Sequence, residues 1–193
     1  MNVRCLTVGS IGTNCYLVWQ EGRDDCLVID PGDEAEKIRL TADGLGKKIA
    51  GILLTHGHFD HVTGVKGLKT EDMPVYLQEA DARLPLWLTG GKLPCTHLYG
   101  ETVRLAGLEF SVLPTPGHTP GSVCLMAEGV LFSGDTLFSG ACGRTDLPGG
   151  SWGDMEKSLA FLASLPGNLT VYPGHGEPTT LEKERQSNPY MRR

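Results

Sequence analysis

The chain has 193 residues, a formal net charge of -6 and six cysteines without a C-x-x-C pair, and these features exclude several classes of protein. A chain of this length can bury one sizeable core without dividing, so we expect a single domain over residues 1–193. The negative charge without a Lys/Arg cluster argues against a nucleic-acid partner. No stretch approaches the ~20 apolar residues of a membrane span, and residues 1–6 lack the pattern of an export signal. We therefore expect a cytoplasmic protein without a membrane partner.

Short apolar runs separated by turn residues predict that much of the chain forms β-strands. In chain order the predicted strands are 3–8, 15–19, 26–29, 49–54, 75–77, 108–113, 123–126, 130–132 and 169–172. A helix is expected from Glu34 to Lys48, and another begins near His61 or Val62. A third begins at Ser151, whose hydroxyl can cap the first turn. The 26 glycines are nearly twice the usual share of ~7%, which favours a fold with many tight loops.

One heptapeptide after the predicted strand 49–54 concentrates metal-binding side chains: Thr55-His56-Gly57-His58-Phe59-Asp60-His61. In an extended segment His56 and His58 point to the same side, because side chains alternate with period two, so one divalent ion can bind both. Asp60 and His61, where the chain turns into the next element, would face a second ion about 3.5–4 Å away. Histidines rarely cluster on an ordinary surface, so the heptapeptide predicts a metal site at the end of a strand.

Three more ligand-type residues stand alone in glycine-containing turns: His118 in Thr-Pro-Gly-His-Thr-Pro, Asp135 in Phe-Ser-Gly-Asp-Thr and His175 in Tyr-Pro-Gly-His-Gly. A stable site of nitrogen and oxygen donors needs three or more protein ligands. His118 can therefore complete the first half-site, His175 can complete the second, and Asp135 can bridge both. Taken alone, each could equally be an ordinary turn residue. The glycine beside each one, where the backbone must approach closely, favours the metal site.

With these residues the sequence resembles the metallo-β-lactamase superfamily, whose signature is H-x-H-x-D-H followed by a distant His, Asp and His. The resemblance runs from residues 12–17 and 29–32 to residues 173–179. Within the superfamily the chain is similar to the glyoxalase-II-like hydrolases, including short bacterial hydroxyacylglutathione hydrolases. It implies an α/β fold: an αββα sandwich of two packed mixed sheets flanked by helices, with the metals at one edge. His61, which true zinc β-lactamases lack, and Asp135, where many of them carry cysteine, argue against lactam hydrolysis.

The ligand set and the resemblance together imply a dinuclear metal-dependent thioester hydrolase. Water held between two divalent cations loses its proton near neutral pH and becomes a hydroxide nucleophile, which Asp60 could orient as the catalytic residue. A thiol has a pKa of about 8.5, so the thiolate can leave without a general acid. The expected small-molecule substrate is therefore an S-2-hydroxyacylglutathione thioester. Zinc is the expected metal, and iron or manganese would accept the same donors.

Several alternatives stay open at this point. Arg144 could bind a substrate carboxylate, or it could pair with Asp146 and hold its own loop. The irregular apolar stretch 84–102 could be a lid over a pocket or a loop packed on the core, and Asp30 is expected to fix a ligand or a loop. A mononuclear-iron persulfide dioxygenase, a related branch with the same G-C-G-R-T-D segment, and a hydrolase of other small esters or lactones are the alternative activities. A metal-binding protein without turnover is disfavoured because the ligand set is complete.

Overall fold

Two six-stranded β-sheets form the centre of the computed structural model, which describes residues 1–192. Arg193, the last residue of the predicted domain, lies outside the described residues, and the single-domain organisation stays a prediction. None of the helices within residues 1–192 combines the length and the apolar character needed to cross a membrane.

The first sheet is built from the N-terminal half of the chain. Its strands follow one another in chain order: β1 (Asn2–Val8), β2 (Thr13–Trp19), β3 (Asp25–Ile29), β4 (Lys48–Leu53), β5 (Val75–Leu77) and β6 (His97–Leu98). The pairs β1–β2 and β2–β3 are antiparallel, and the pairs from β3 to β6 are parallel. Helices α1 (Ala35–Gly44), α2 (Phe59–Val62) and α3 (Val65–Leu68) contribute to the buried cluster on one face of this sheet.

The second sheet is built from the C-terminal half. Its strands are β7 (Thr102–Leu105), β8 (Leu108–Pro114), β9 (Val123–Ala127), β10 (Val130–Gly134), β13 (Thr170–Pro173) and β14 (Thr179–Thr180), in the spatial order β14-β13-β10-β9-β8-β7. The β10–β13 pair is parallel. Strands β11 (Leu137–Phe138) and β12 (Ala141–Cys142) form a separate ribbon. Helices α4 (Trp152–Ser164) and α5 (Leu181–Ser187) contribute to the cluster on the outer face of this sheet.

Three buried clusters separate four layers. Strand β2 shows the arrangement, because Leu17 packs with the outer helices whereas Tyr16 and Val18 pack between the two sheets. This alternation is the period of two expected for a strand that is buried on both faces. Phe110 and Phe132 of the second sheet lie in the same central cluster. The protein is therefore an αββα sandwich of two mixed sheets, as expected.

All nine predicted strands are present, with ends that differ by at most two residues from the prediction. The predicted helix from Glu34 to Lys48 is too long, since α1 ends at Gly44 and Lys48 begins β4. Gly46 has φ 67° and its N–H donates to Asp43 O at 2.9 Å, which closes the helix earlier. The helix expected near His61 begins earlier, at Phe59. The cap at Ser151 is confirmed, because its hydroxyl accepts from Asp154 N at 3.3 Å.

Candidate metal centre

The histidine-rich loop lies between β4 and α2, at the carboxyl end of a parallel strand. His58 is extended (φ -68°, ψ 147°) and precedes the helix, and Asp60 and His61 lie in its single turn. The loop is fixed from beneath by Asp30, whose carboxylate accepts from Thr55 N at 2.8 Å and from Thr55 Oγ1 at 2.6 Å. These two bonds hold Thr55, the residue before the buried His56, in place at the start of the loop.

The other three predicted ligands come from the second sheet. His118 lies in the turn between β8 and β9, Asp135 directly follows β10, and His175 follows β13. Because β10 and β13 are parallel neighbours, their carboxyl ends meet at one edge of the sheet. Asn14 on β2 ties this edge to the first sheet, since its N–H donates to Gly174 O at 2.7 Å. The ends of both sheets therefore converge on one site.

The structure brings all seven predicted ligands together. His56, His58 and His118 form one group, and Asp60, His61 and His175 form another; within each group the candidate ligand atoms lie within 4.8 Å of one another. Asp135 lies between the groups, because its Oδ2 is 3.5 Å from His118 Nε2 and 3.6 Å from His175 Nε2. Its Oδ1 is 3.4 Å from His61 Nε2. This is the arrangement expected of two three-ligand half-sites with a bridging carboxylate.

Unpaired polar atoms test whether these residues suit a metal. His61 Nδ1 is 3.0 Å from Asp30 Oδ2 and His118 Nδ1 donates to Arg144 O at 2.7 Å, so each ring turns its Nε2 atom toward the other proposed ligands: His61 Nε2 toward Asp135 and His118 Nε2 toward His58. Among residues 1–192, the buried atoms His56 Nε2, His61 Nε2 and Asp135 Oδ1 have no hydrogen-bond partner. A buried polar atom without a partner costs about 1–3 kcal/mol. A cation bound by these atoms would remove that cost, so the donor set fits a metal.

Two histidines of the first group have lowered pKa values, which favour the binding of a cation. Burial, together with the neighbouring imidazoles, holds the pKa of His56 well below its usual range. Burial and the neighbours His118 and His61 also lower the pKa of His58 to about 4. The Nδ1 atom of His58 lies 2.8 Å from Nε2 of His118, so two ring nitrogens point at the same space. Neutral imidazoles are the form that binds metal.

In the second group, His61 carries a proton that a metal would displace. Burial acts to lower the pKa of His61, but the carboxylates Asp135, Asp30 and Asp60 outweigh it and raise that pKa to about 9. Burial raises the pKa of Asp60, but His175, His61 and Thr13 outweigh it and hold that pKa well below its usual range. Asp60 is therefore a carboxylate beside the imidazolium of His61 at neutral pH.

Glycines allow the backbone to approach the ligands. A Cβ atom at Gly32 would lie 1.6 Å from Asp60 O, and one at Gly174 would lie 2.2 Å from Asp135 Oδ1. Neither distance is possible for a real side chain, so the site requires glycine at both positions. The glycine-rich turns predicted from the sequence serve this close approach.

A cavity of about 410 Å³ opens on the two groups. Five proposed ligands and Arg144 line it together with four apolar side chains that the sequence analysis did not identify: Ile11, Phe59, Phe138 and Leu147. The guanidinium of Arg144 donates to both carboxylate oxygens of Asp146, at 2.7 and 2.8 Å. The ion pair anticipated as one alternative is therefore present, and Arg144 also borders the cavity.

The stretch 84–102 is absent from the lining of this cavity within the described residues. It packs against the histidine-rich loop instead, since Leu84 and Leu93 approach Gly57 and Leu88 O accepts from Phe59 N at 2.7 Å. Leu84 and Leu88 are buried, whereas Leu86 and Trp87 are exposed. These contacts favour the packed loop over the lid.

Comparison with known proteins finds relatives that align with nearly the whole chain. The hydroxyacylglutathione hydrolase GloC of Haemophilus influenzae is 33% identical and aligns with 99% of this chain and 98% of its own length. The structure resembles the BLEG-1 B3 metallo-beta-lactamase (35% identity, 98% of this chain and 99% of that one, TM-score 0.89) and TTHA1623 in a di-iron-bound form (40%, 97% and 100%, TM-score 0.82). It also resembles ETHE1 from Myxococcus xanthus (29%, 98% and 84%, TM-score 0.83).

The family model of the metallo-beta-lactamase superfamily matches residues 8–175, a span that contains all seven predicted ligands. The fold, the histidine-rich loop at the sheet edge and the aligned relatives lead to the same assignment. The chain belongs to the metallo-β-lactamase superfamily of metal-dependent hydrolases.

Proposed function

We propose that this protein is a dinuclear metal-dependent hydrolase that cleaves thioesters, with an S-2-hydroxyacylglutathione as the leading substrate. The observation that carries the proposal is the pair of three-ligand groups around Asp135 at the base of the cavity. His56, His58 and His118 would hold one ion, and Asp60, His61 and His175 the other. The similarity to GloC supports the choice of substrate.

Two divalent ions held by these residues would lower the pKa of a bound water and polarise the substrate carbonyl. We propose zinc, and iron is the natural competitor because TTHA1623 was solved in a di-iron-bound form.

Asp60 is the proposed catalytic residue within the chain. It lines the cavity, and one of its oxygens, Oδ2, accepts from Thr13 Oγ1 at 3.0 Å. Because its pKa lies well below the usual range, Asp60 stays ionised across the neutral pH range. It can therefore accept a hydrogen bond from an attacking water and orient it toward the substrate carbonyl.

The cavity suits a leaving group that needs no acid. Within residues 1–192, every titratable side chain on its lining is either a proposed ligand or Arg144. An alkoxide leaving group would require a proton donor, whereas a thiolate with a pKa of about 8.5 does not. The lining therefore favours thioesters over ordinary esters.

The shape and charge of the cavity fit a small acyl group attached to an anionic carrier. Ile11, Phe59, Phe138 and Leu147 supply apolar walls, and Arg144 supplies one cation at the rim. Its side chain is 63% exposed, so a substrate carboxylate can compete with Asp146 for the guanidinium.

Metal content and turnover measured on the same samples test the proposal. We expect about two zinc ions per chain after reconstitution and hydrolysis of an S-2-hydroxyacylglutathione. His58→Gln should lower both, while His97→Gln, at an exposed histidine on β6, should lower neither. Saturation at one ion would refute the dinuclear site, and a fully loaded protein that hydrolyses no thioester would refute the activity.

A second candidate is the mononuclear-iron persulfide dioxygenase. A mononuclear iron of this kind is bound by two histidines and one aspartate. Two groups of side chains in the structure have this composition: the first is His56, His61 and Asp135, and the second is Asp60, His61 and His175. Oxygen consumption with glutathione persulfide and one iron per chain would favour this reaction. A cephalosporin should be assayed as well, because the similar BLEG-1 is named a metallo-beta-lactamase. A small lactone tests the alternative of a hydrolase of other small esters or lactones.

A further inference from the structure

A buried aspartate outside the proposed ligand groups connects two of the ligand loops. Asp81 lies in the 3₁₀ turn Glu79–Arg83 after β5 and has 0% exposure. Its Oδ2 accepts from Gly57 N at 2.7 Å and from Thr119 Oγ1 at 2.9 Å, and its Oδ1 accepts from Gly121 N at 2.6 Å. Gly57 separates His56 from His58, and Thr119 directly follows His118.

The contacts of Asp81 are those of an ionised carboxylate. All three hydrogen bonds are donated to it, and bonds of this kind stabilise the charged form. Burial raises the pKa of Asp81, and the three bonds oppose that rise. A buried carboxylate is costly unless its oxygens are satisfied. Here the two ligand loops satisfy them, so the charge and the loop positions depend on each other.

Both loops approach Asp81 through glycine. A Cβ at Gly121 would lie 2.5 Å from Asp81 Oδ1, and a Cβ at Gly57 would lie 3.3 Å from Asp81 Cβ. Because Gly57 and Gly121 have no side chain, the backbone N–H of each can donate to the carboxylate of Asp81. This explains a glycine in the middle of the histidine-rich loop that metal binding alone does not require.

We propose that Asp81 is a positioning residue that fixes the loop of His56 and His58 against the turn of His118 and thereby sets the metal affinity of the three-histidine group alone. The three bonds of Asp81 go only to the loop of His56 and His58 and to the turn of His118. The other group has supports of its own, since Asp30 Oδ2 is 3.0 Å from His61 Nδ1 and Thr13 donates to Asp60 at 3.0 Å, although Asp30 also accepts from Thr55, before His56. The inference rests on the proposed dinuclear site and adds a selective role for one residue.

Stepwise zinc titration of the full chain against a chromophoric chelator tests this role. In Asp81→Asn the amide nitrogen replaces one acceptor, so the N–H of Gly57 or Gly121 loses its partner. We expect one of the two binding steps to weaken by about 10–100-fold, the usual effect of losing a residue that orients ligands. Ring ¹⁵N resonances should show His56, His58 and His118 binding only at higher zinc, while His61 and His175 bind as in the wild type.

Two further variants separate positioning from general damage. Glu184→Gln alters another fully buried acid, which accepts from Gly140 N, Thr179 Oγ1 and Asn188 Nδ2. None of these three donors belongs to the loop of His56 and His58 or to the turn of His118, so both zinc affinities should stay at the wild-type values. Thr119→Val removes one bond to Asp81 and keeps the charge, so it should weaken the same step less and serves if Asp81→Asn does not fold.

Equal weakening of both steps in Asp81→Asn or Thr119→Val would overturn the selective role, as would wild-type affinity in both variants. If the wild-type chain binds two zinc ions and both variants bind zinc as the wild type does, this inference is refuted and the proposed function stands. A wild-type chain that binds no zinc would refute the proposed function as well.

Discussion

At the scale of single residues, Asp60 combines a position in the ligand groups with a position on the cavity wall. If it orients the attacking water, Asp60→Asn should lower kcat by about 100-fold with little change in KM, because the lost interaction acts mainly in the transition state. Steady-state kinetics at verified full zinc occupancy measure this effect. Wild-type kcat in a fully loaded variant would show that Asp60 only binds metal.

Arg144 can act on the substrate or on its own loop, and paired variants separate these roles. Arg144→Ala should raise KM for glutathione thioesters by roughly tenfold, since a charged hydrogen bond to the carrier is lost. Thioesters without carboxylates should be unaffected. Asp146→Asn releases the guanidinium from its ion pair and should lower KM for the same glutathione substrates. Arg144 would be a loop-holding residue if both variants raised KM for every thioester tested.

At the scale of elements, prediction succeeded where a local pattern determines the structure. Strands such as β3 and β9 are short apolar runs, and α4 has both a capping serine and an apolar face with Met155, Leu159 and Leu162 buried. Strands β6, β11, β12 and β14 have two residues each, so only pairing with distant partners defines them. In β7, four residues alternate between exposed and buried side chains, which is too short a pattern to distinguish from a turn.

The residues of the site, like the elements, could be predicted only where a local sequence pattern marks them. The seven proposed ligands, which the structure brings together, could be selected from the sequence because histidines and aspartates beside glycines at strand ends are a local and uncommon signal. The cavity walls could not be identified, since Ile11, Phe138 and Leu147 come from separate loops that only the packing of the two sheets brings together. Asp81 lies in a charged segment, Glu79–Arg83, that looks like a solvated surface turn. Only the folded structure shows that its carboxylate is buried.

At the scale of the whole molecule, the two ligand groups link stability to pH and to metal. The folded pKa of His61 is about 9, above its ordinary value of 6.5, so in the metal-free protein its contribution to stability is complete below pH 6.5 and is lost as the pH rises through 9. A bound ion requires deprotonated histidine and displaces this proton. Raising the pH should therefore destabilise the metal-free protein and strengthen zinc binding.

We expect the stabilisation by zinc to grow between pH 6.5 and 9. A ligand present at 100 times its dissociation constant stabilises the folded state by about 2.7 kcal/mol, and each tenfold gain in affinity adds about 1.4 kcal/mol. Urea unfolding of zinc-loaded and chelator-treated protein at both pH values measures the difference. His61→Gln should abolish most of the pH dependence, and His97→Gln, outside the site, should preserve it. A metal-free protein that is equally stable at both pH values would show that the carboxylates around His61 do not hold its proton.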